Sequence, residues 1–287
     1  MQSATADEAA LQPPSFVNSL LVLWQDPSNR RFVPIGRFTF DGEAYSFAYT
    51  RAAANLTAFR PLPGMPDVRR RYTSVRIPAL FNQRVMSSSR NDFANYARGI
   101  GLDPATATPW EQIVHSGGTR AGDTLQFMPL PIVDAGRARA RFFANGVKYV
   151  PTAKLASNGR TLLVSKEEHE QAIRALKPGD RLRLMREDNN PVDQYACLIA
   201  SGLPNPEPGS VLTPAKHDQP LPLGWVPRVL SEDIWSLLQG TQVSCSVIRV
   251  GPPGAPSHQR IVLDLDHPAP PGFRFDARGD WRPLVDH

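Results

Sequence analysis

Cysteine is nearly missing from this chain: Cys197 and Cys245 are the only two in 287 residues, and no CxxC spacing occurs. That excludes a disulfide framework and a cysteine-rich zinc site. Lysine is scarce too. Only five of the 32 basic residues are lysine, and the first is Lys148. No apolar run approaches the ~18 residues needed to span a bilayer, so no membrane partner is expected. Residues Met1 to Pro14 lack both the basic start and the apolar stretch of a secretory signal, which leaves the cytoplasm as the expected address.

Catalytic signatures are missing as well. There is no HExxH, no GxSxG, no Walker A sequence and no kinase set. The six histidines, at 115, 169, 217, 258, 267 and 287, share no metal-ligand spacing. The chain is therefore expected to be a non-enzyme, with no catalytic residues, metal or cofactor.

Apolar residues make up 41%, enough for real cores, and 29 prolines favour short strands joined by loops over long helices. The length fits about two domains at a typical 100–200 residues each. Through residue 139 there are 15 arginines against 11 acids, or +4; beyond it, 17 basic against 16 acidic residues give +1. Neither half is the strongly basic surface of a non-specific DNA binder, so any nucleic-acid contact should be a local site.

Residues 1–17 read as a flexible tail. Short strands are expected over Leu20–Trp24, Phe32–Thr39 and Glu43–Tyr49, with Asp41-Gly42 as a hairpin turn. Helical segments follow over Pro78–Val85, over Asn91–Arg98 and from Pro109, the last capped by Thr108. Gly117-Gly118-Thr119-Arg120-Ala121-Gly122-Asp123 reads as a tight turn or an anion cradle, before a strand over Thr124–Met128. A seam is expected near Asp134–Arg139.

The second domain opens with a strand over Ala140–Tyr149. Ser165 and Glu168 form a capping box for a helix that ends at Leu176. Strands over Arg181–Met185 and Tyr195–Ala200 flank a polar turn. A Pro-rich excursion spans 203–222. A strand over Leu223–Val226, a helix over Leu230–Leu238 capped by Ser231, and strands over Gln242–Val250 and Arg260–Asp266 complete the domain. Asp264 and Asp266 share one strand face, as a solvated pair or a Mg²⁺ site.

The densest polar stretch is Arg186-Glu187-Asp188-Asn189-Asn190-Pro191-Val192-Asp193. Asn-Pro-x-Asp can brace itself through Asx bonds, or present Asp193 to a hydroxyl at a sheet rim. Lys148-Tyr149 and Trp225 with Arg228 place aromatics beside cations. Those rings read either as core or as a stacking platform for single-stranded nucleic acid.

The order G-x-K-Y, LKPGD-x-L-x-L-x-RE-x-x-NP-x-D-x-x-A, LGWVPR over about residues 138–240 resembles a HIRAN domain. The resemblance implies an OB-like barrel that captures a free single-stranded 3′ DNA end. It would set Tyr149 beside the terminal nucleotide, Lys148 near a phosphate and Asn190 in the turn. Asp193 would accept from the 3′-hydroxyl, with Trp225 and Arg228 along the strand's path. Arg186 belongs to the same motif and joins the expected nucleic-acid-binding set. End binders of that family carry an aromatic where this chain has Val192.

Val33-Pro34-Ile35-Gly36-Arg37, Tyr72-Thr73-Ser74 before Pro78-Ala79-Leu80-Phe81, and Ser116–Asp123 before Leu125-Gln126-Phe127 resemble the HipA N-terminal subdomain, over about residues 18–132. That resemblance implies a partner-regulating module detached from any kinase body.

The expected fold class is α+β, mainly β. A tail (1–17) precedes a small mixed HipA-like interaction domain (18–135) and an OB-like β-barrel with two short helices (138–287). The expected function is recognition of single-stranded DNA, at a free 3′ end, coupled through the first domain to a kinase, helicase or nuclease in DNA repair or phage defence. The alternative is an antitoxin-like protein–protein regulator of a HipA-type kinase.

Overall fold

The computed structural model describes residues 17–120, 124–201, 220–255 and 259–285. The expected tail up to residue 16, the end of the Gly-rich turn (121–123) and most of the Pro-rich excursion (202–219) lie outside them. The molecule is mixed α and β, with strand predominating. The chain divides into two compact units: residues up to 25, 35–128 and 281 onward form one, and 26–34 with 129–280 form the other. Among the described residues no helix is long and apolar enough to cross a membrane.

In the first unit, β1 (Ser19–Gln25), β2 (Phe32–Phe40), β3 (Tyr45–Tyr49), β4 (Tyr72–Ser74) and β5 (Leu125–Pro129) form a sheet ordered β4-β3-β2-β1-β5. Phe38, Phe47, Phe81 and Phe127 are fully buried and meet largely edge to face, the arrangement that aromatic quadrupoles favour. Four short helices accompany the sheet: α1 (Arg51–Ala54), α2 (Ala79–Asn82), α3 (Phe93–Gly99) and α4 (Pro109–Ser116). Thr108 caps α4 as expected and closes a full capping box with Glu111. The end of the chain returns to this unit. Arg51 N–H donates to the Arg282 carbonyl at 2.9 Å, and Leu284 N–H to the Tyr49 carbonyl at 2.8 Å.

The second unit holds β6 (Ile132–Asp134), β7 (Arg137–Phe143), β8 (Leu155–Ser157), β9 (Arg160–Leu162), β10 (Arg181–Arg186), β11 (Cys197–Ser201), β12 (Leu221–Trp225), β13 (Ser244–Val250) and β14 (Ile261–Pro268). Two ten-residue helices, α5 (Lys166–Ala175) and α6 (Arg228–Leu237), match the expected pair. The Ser165–Glu168 capping box opens α5. The seam falls earlier than 134–139 because β6 pairs with β7, Ile132 opposite Arg139, and so belongs with the second sheet.

Among the described residues, strand ladders do not close the expected barrel. Seven strands, ordered β12-β11-β10-β13-β14-β7-β6, form an antiparallel sheet with β12 and β6 at its edges, and β8-β9 is a separate hairpin. One bridge ties the segment after β7 to β12: Asn145 and Trp225 exchange N–H···O bonds of 2.8 and 2.9 Å. β7 alternates from Arg137 to Phe142. Ala138, Ala140 and Phe142 point to the core, while Arg137, Arg139 and Arg141 face out. Those arginines meet the two aspartates of β14. Arg141 lies 3.5 Å from Asp264, and Arg137 pairs with Asp266. The aspartate pair is thus the solvated, ion-paired face, and among the described residues no three His, Cys, Asp or Glu side chains gather to hold a metal.

Candidate functional site

β10 ends at Arg186, and the chain leaves the sheet through a turn before re-entering as β11. Glu187 N–H donates to the Ala196 carbonyl at 2.9 Å and closes the mouth of the turn. Inside it, Asn190 Oδ1 accepts from the N–H groups of Val192 (2.8 Å) and Asp193 (2.9 Å). This is the Asx bracing that Asn-Pro-x-Asp is suited to. Asn189 stands at φ 56°, a left-handed geometry that asparagine tolerates.

A buried carboxylate fixes the turn from behind. Glu187 is only 4% exposed, and its Oε2 accepts from Asn190 Nδ2 and from Trp225 Nε1, each at 2.6 Å. Buried charge survives only when paired or hydrogen-bonded, and here two donors converge on one oxygen. The β8–β9 hairpin adds three bonds. Ser157 Oγ donates to the Arg186 carbonyl (2.6 Å), Asp188 N–H to the Ala156 carbonyl (2.8 Å), and Gly159 N–H to Asp188 Oδ2 (2.8 Å).

In front of the turn lies a groove of about 470 Å³. Its walls are the Asn190–Tyr195 turn, the first part of α6 (Arg228, Ser231, Glu232) and Arg278. Asp193 Oδ1 accepts from Tyr195 N–H at 3.0 Å, and Oδ2 accepts from Ser231 Oγ at 2.7 Å. Arg228 Nη1 donates to the Val192 carbonyl at 2.8 Å. Two carboxylates and two guanidiniums therefore line the groove, a balanced set able to accept from hydroxyls and donate to anionic oxygens. Cys197 lies in β11 with no solvent exposure, and desolvation pushes its thiol up to about 12, which removes it as a nucleophile.

Three of the expected residues, Asn190, Asp193 and Arg228, meet at this groove. The others are placed differently. Lys148 and Tyr149 are not on a strand: β7 stops at Phe143, Gly146 turns the chain at φ 66°, and Val147–Thr152 is a 3-10 helix. The Tyr149 ring is 57% exposed, with Lys148 Nζ over its face at 4.8 Å. Trp225 packs against the core of Val150, Leu155, Met185 and Leu198 and spends its N–H on Glu187, so it braces the turn. Arg186 lies over the Trp235 ring at 4.9 Å, and its Nε and Nη2 are buried without a hydrogen-bond partner.

α6 begins at Arg228 after Pro227 and not at Leu230. Ser231 is therefore inside the helix, 1% exposed, and bonds Asp193 in place of the helix end. Glu187, which braces the turn, and Ser231, Tyr195 and Arg278, which line the groove, were not among the expected site residues. Glu187 stood within the quoted motif, yet its partner Trp225 is 38 residues on. Arg278 had no signal.

No family model matches this chain, and neither does any curated protein or solved structure.

Proposed function

We propose that the second unit binds single-stranded DNA at a free 3′ end, without catalysis, and that the first unit couples this to a protein partner. The reading rests on one observation: Asp193 sits in the groove beside Arg228, on a turn held rigid by Glu187. An ionised carboxylate offers about four acceptor positions. Tyr195 N–H and Ser231 Oγ account for two of them, so a terminal hydroxyl is a further donor the group can accept. The exposed Tyr149 ring beside Lys148 supplies the stacking surface and cation that a strand needs, and Val192, 66% exposed at the rim, stands where an aromatic would add to it. The Asn145–Trp225 bridge supports reading the sheet as coiled in the OB-like manner.

The test is a titration of fluorescent single strands with a free or a phosphate-blocked 3′ end, repeated across salt concentrations. The wild type should prefer the free end. Asp193→Ala should abolish the preference, and Ser231→Ala, which spares the carboxylate, should keep it. Equal wild-type affinity for both strands removes end recognition. Absence of strand binding even at low salt, with a kinase recovered as a bound partner, replaces the reading with the antitoxin-like regulator.

A further inference from the structure

We propose that Arg278 is the mobile phosphate contact of this groove: it leaves Glu232 and takes the phosphodiester next to the terminal nucleoside while Asp193 holds the hydroxyl. The inference rests on the end-capture reading and adds to it a residue from a separate segment of the chain. Arg278 comes from a turn after β14, well separated in sequence from Asp193, yet both line the same groove.

The turn that carries it is well built. Asp276 adopts φ 54° and Gly279 φ 75°. Gly279 N–H donates to the Asp276 carbonyl at 2.9 Å, and Asp280 N–H to Asp276 Oδ1 at 2.8 Å. The turn is anchored to α6 where Asp276 N–H donates to Asp233 Oδ2 at 3.2 Å. The backbone is thus fixed while the side chain reaches outward.

The two groove arginines differ in how they are held. Arg228 is tied to the backbone of the turn through Val192, so it belongs to the wall. Arg278 Nη2 meets Glu232 Oε1 at 2.8 Å, with side-chain exposures of 67% and 50%. A pair this exposed is weak, because water screens it and two long side chains must be ordered. A guanidinium carries five donors in a planar fork that matches two phosphate oxygens at once. A phosphodiester entering the groove therefore competes well against one carboxylate oxygen. Glu232 serves as the resting partner that keeps the fork at the groove mouth.

The experiment compares full-length wild type, Arg278→Ala, Arg278→Lys and Glu232→Ala, with a fluorescent oligothymidylate bearing a free 3′ end, across a NaCl series. Arg278→Ala should weaken binding roughly three- to tenfold and make the log affinity against log salt slope shallower by about 0.7, the value of one phosphate contact on a single strand. Arg278→Lys should keep the slope. Glu232→Ala should bind more tightly than wild type, because the fork no longer has a competitor. If Arg278→Ala keeps the wild-type slope while the preference for the free end persists, the Arg278 assignment falls alone. If Glu232→Ala and Arg278→Ala weaken binding alike, the pair only props the groove and the assignment falls as well. If the wild type does not distinguish free from 3′-phosphorylated strands, the end-capture reading falls, and this placement of the phosphate with it.

Discussion

The indole N–H of Trp225 and the carboxylate of Glu187 are bonded at 2.6 Å, which links the last residue of β12 to the turn after β10. Because the same oxygen also receives Asn190 Nδ2, one buried side chain ties the middle of the turn to β12. Removing it leaves two donors without an acceptor. Glu187→Ala should destabilise the protein by about 1–3 kcal/mol, the range for a lost bond to a charged, buried group. Trp225→Phe should lose part of the same energy. In a double-mutant cycle read by urea midpoint, the two changes should be strongly non-additive; additive losses would show that the bond carries no energy.

Gly146 should be intolerant of a side chain. It stands at φ 66°, and a Cβ built there would come within 2.6 Å of the Trp225 ring. Gly146→Ala is expected to destabilise by at least roughly 1–2 kcal/mol from the left-handed backbone alone. The overlap should also shift the tryptophan fluorescence. A urea midpoint and emission spectrum equal to wild type would contradict that packing.

Asp233 gives the second unit a pH dependence of known sign. Burial pushes its carboxyl up to about 6 from 3.8, and the charges of Asp276 and Glu232 push the same way against the Asp276 N–H and Arg278. The folded state therefore binds this proton more tightly than the unfolded chain. The stability it contributes is complete below 3.8 and is lost as pH rises through about 6. Asp233→Asn cannot ionise, so relative to wild type it should gain roughly 2–3 kcal/mol between acid and neutral pH. Urea melts of both proteins on either side of the window measure this. Parallel pH profiles for the two would rule it out.

The thiols should be silent in the native protein. Cys197 and Cys245 are buried, and desolvation pushes both up to about 12. Both lie in the second unit. Alkylation at mildly alkaline pH should be negligible until urea unfolds that unit, and its onset should follow the unfolding curve. Fast labelling of the folded protein would contradict the burial.

Tyr149 separates binding from stability. Its ring is exposed, so Tyr149→Ala should leave the melting curve within about 0.5 kcal/mol of wild type. Strand affinity should nonetheless fall by about 1–3 kcal/mol if a base stacks there. Unchanged affinity in the same titration would take Tyr149 out of the interface.

Local features were readable from sequence because their causes are local. Thr108 and Ser165 cap their helices, since a capping box needs only four neighbouring residues. The Asx bracing at Asn190 follows from Asn-Pro-x-Asp in the same way. Features decided at long range were not readable. Ser231 looked like a cap, but Pro227 and Arg228 start the helix earlier and Asp193 claims its hydroxyl. Trp225 read equally as core or as a platform, and no local signal could choose, because the acid that takes its N–H lies in another loop. The strand predicted through Tyr149 ends at Phe143, and Gly146 turns the chain at a positive φ into a 3-10 helix where only the lack of a Cβ leaves room for Trp225, a contact that only the fold creates. A pattern of short strands likewise fixes neither their number nor how their edges meet, and among the described residues the ladders form an open order from β12 to β6.

The chain passes from one compact unit to the other at residues 25/26, 34/35, 128/129 and 280/281. A protease nick at 128/129 would give two fragments that each carry pieces of both units, because 26–34 and the residues from 281 belong to the other one. Shortening the protein at residue 280 would strip the Arg51 N–H of its acceptor at 282 and the Tyr49 carbonyl of its donor at 284. Excising the rear portion as an independent piece therefore damages the front one, and any engineered separation has to rejoin the severed ends of the leading module.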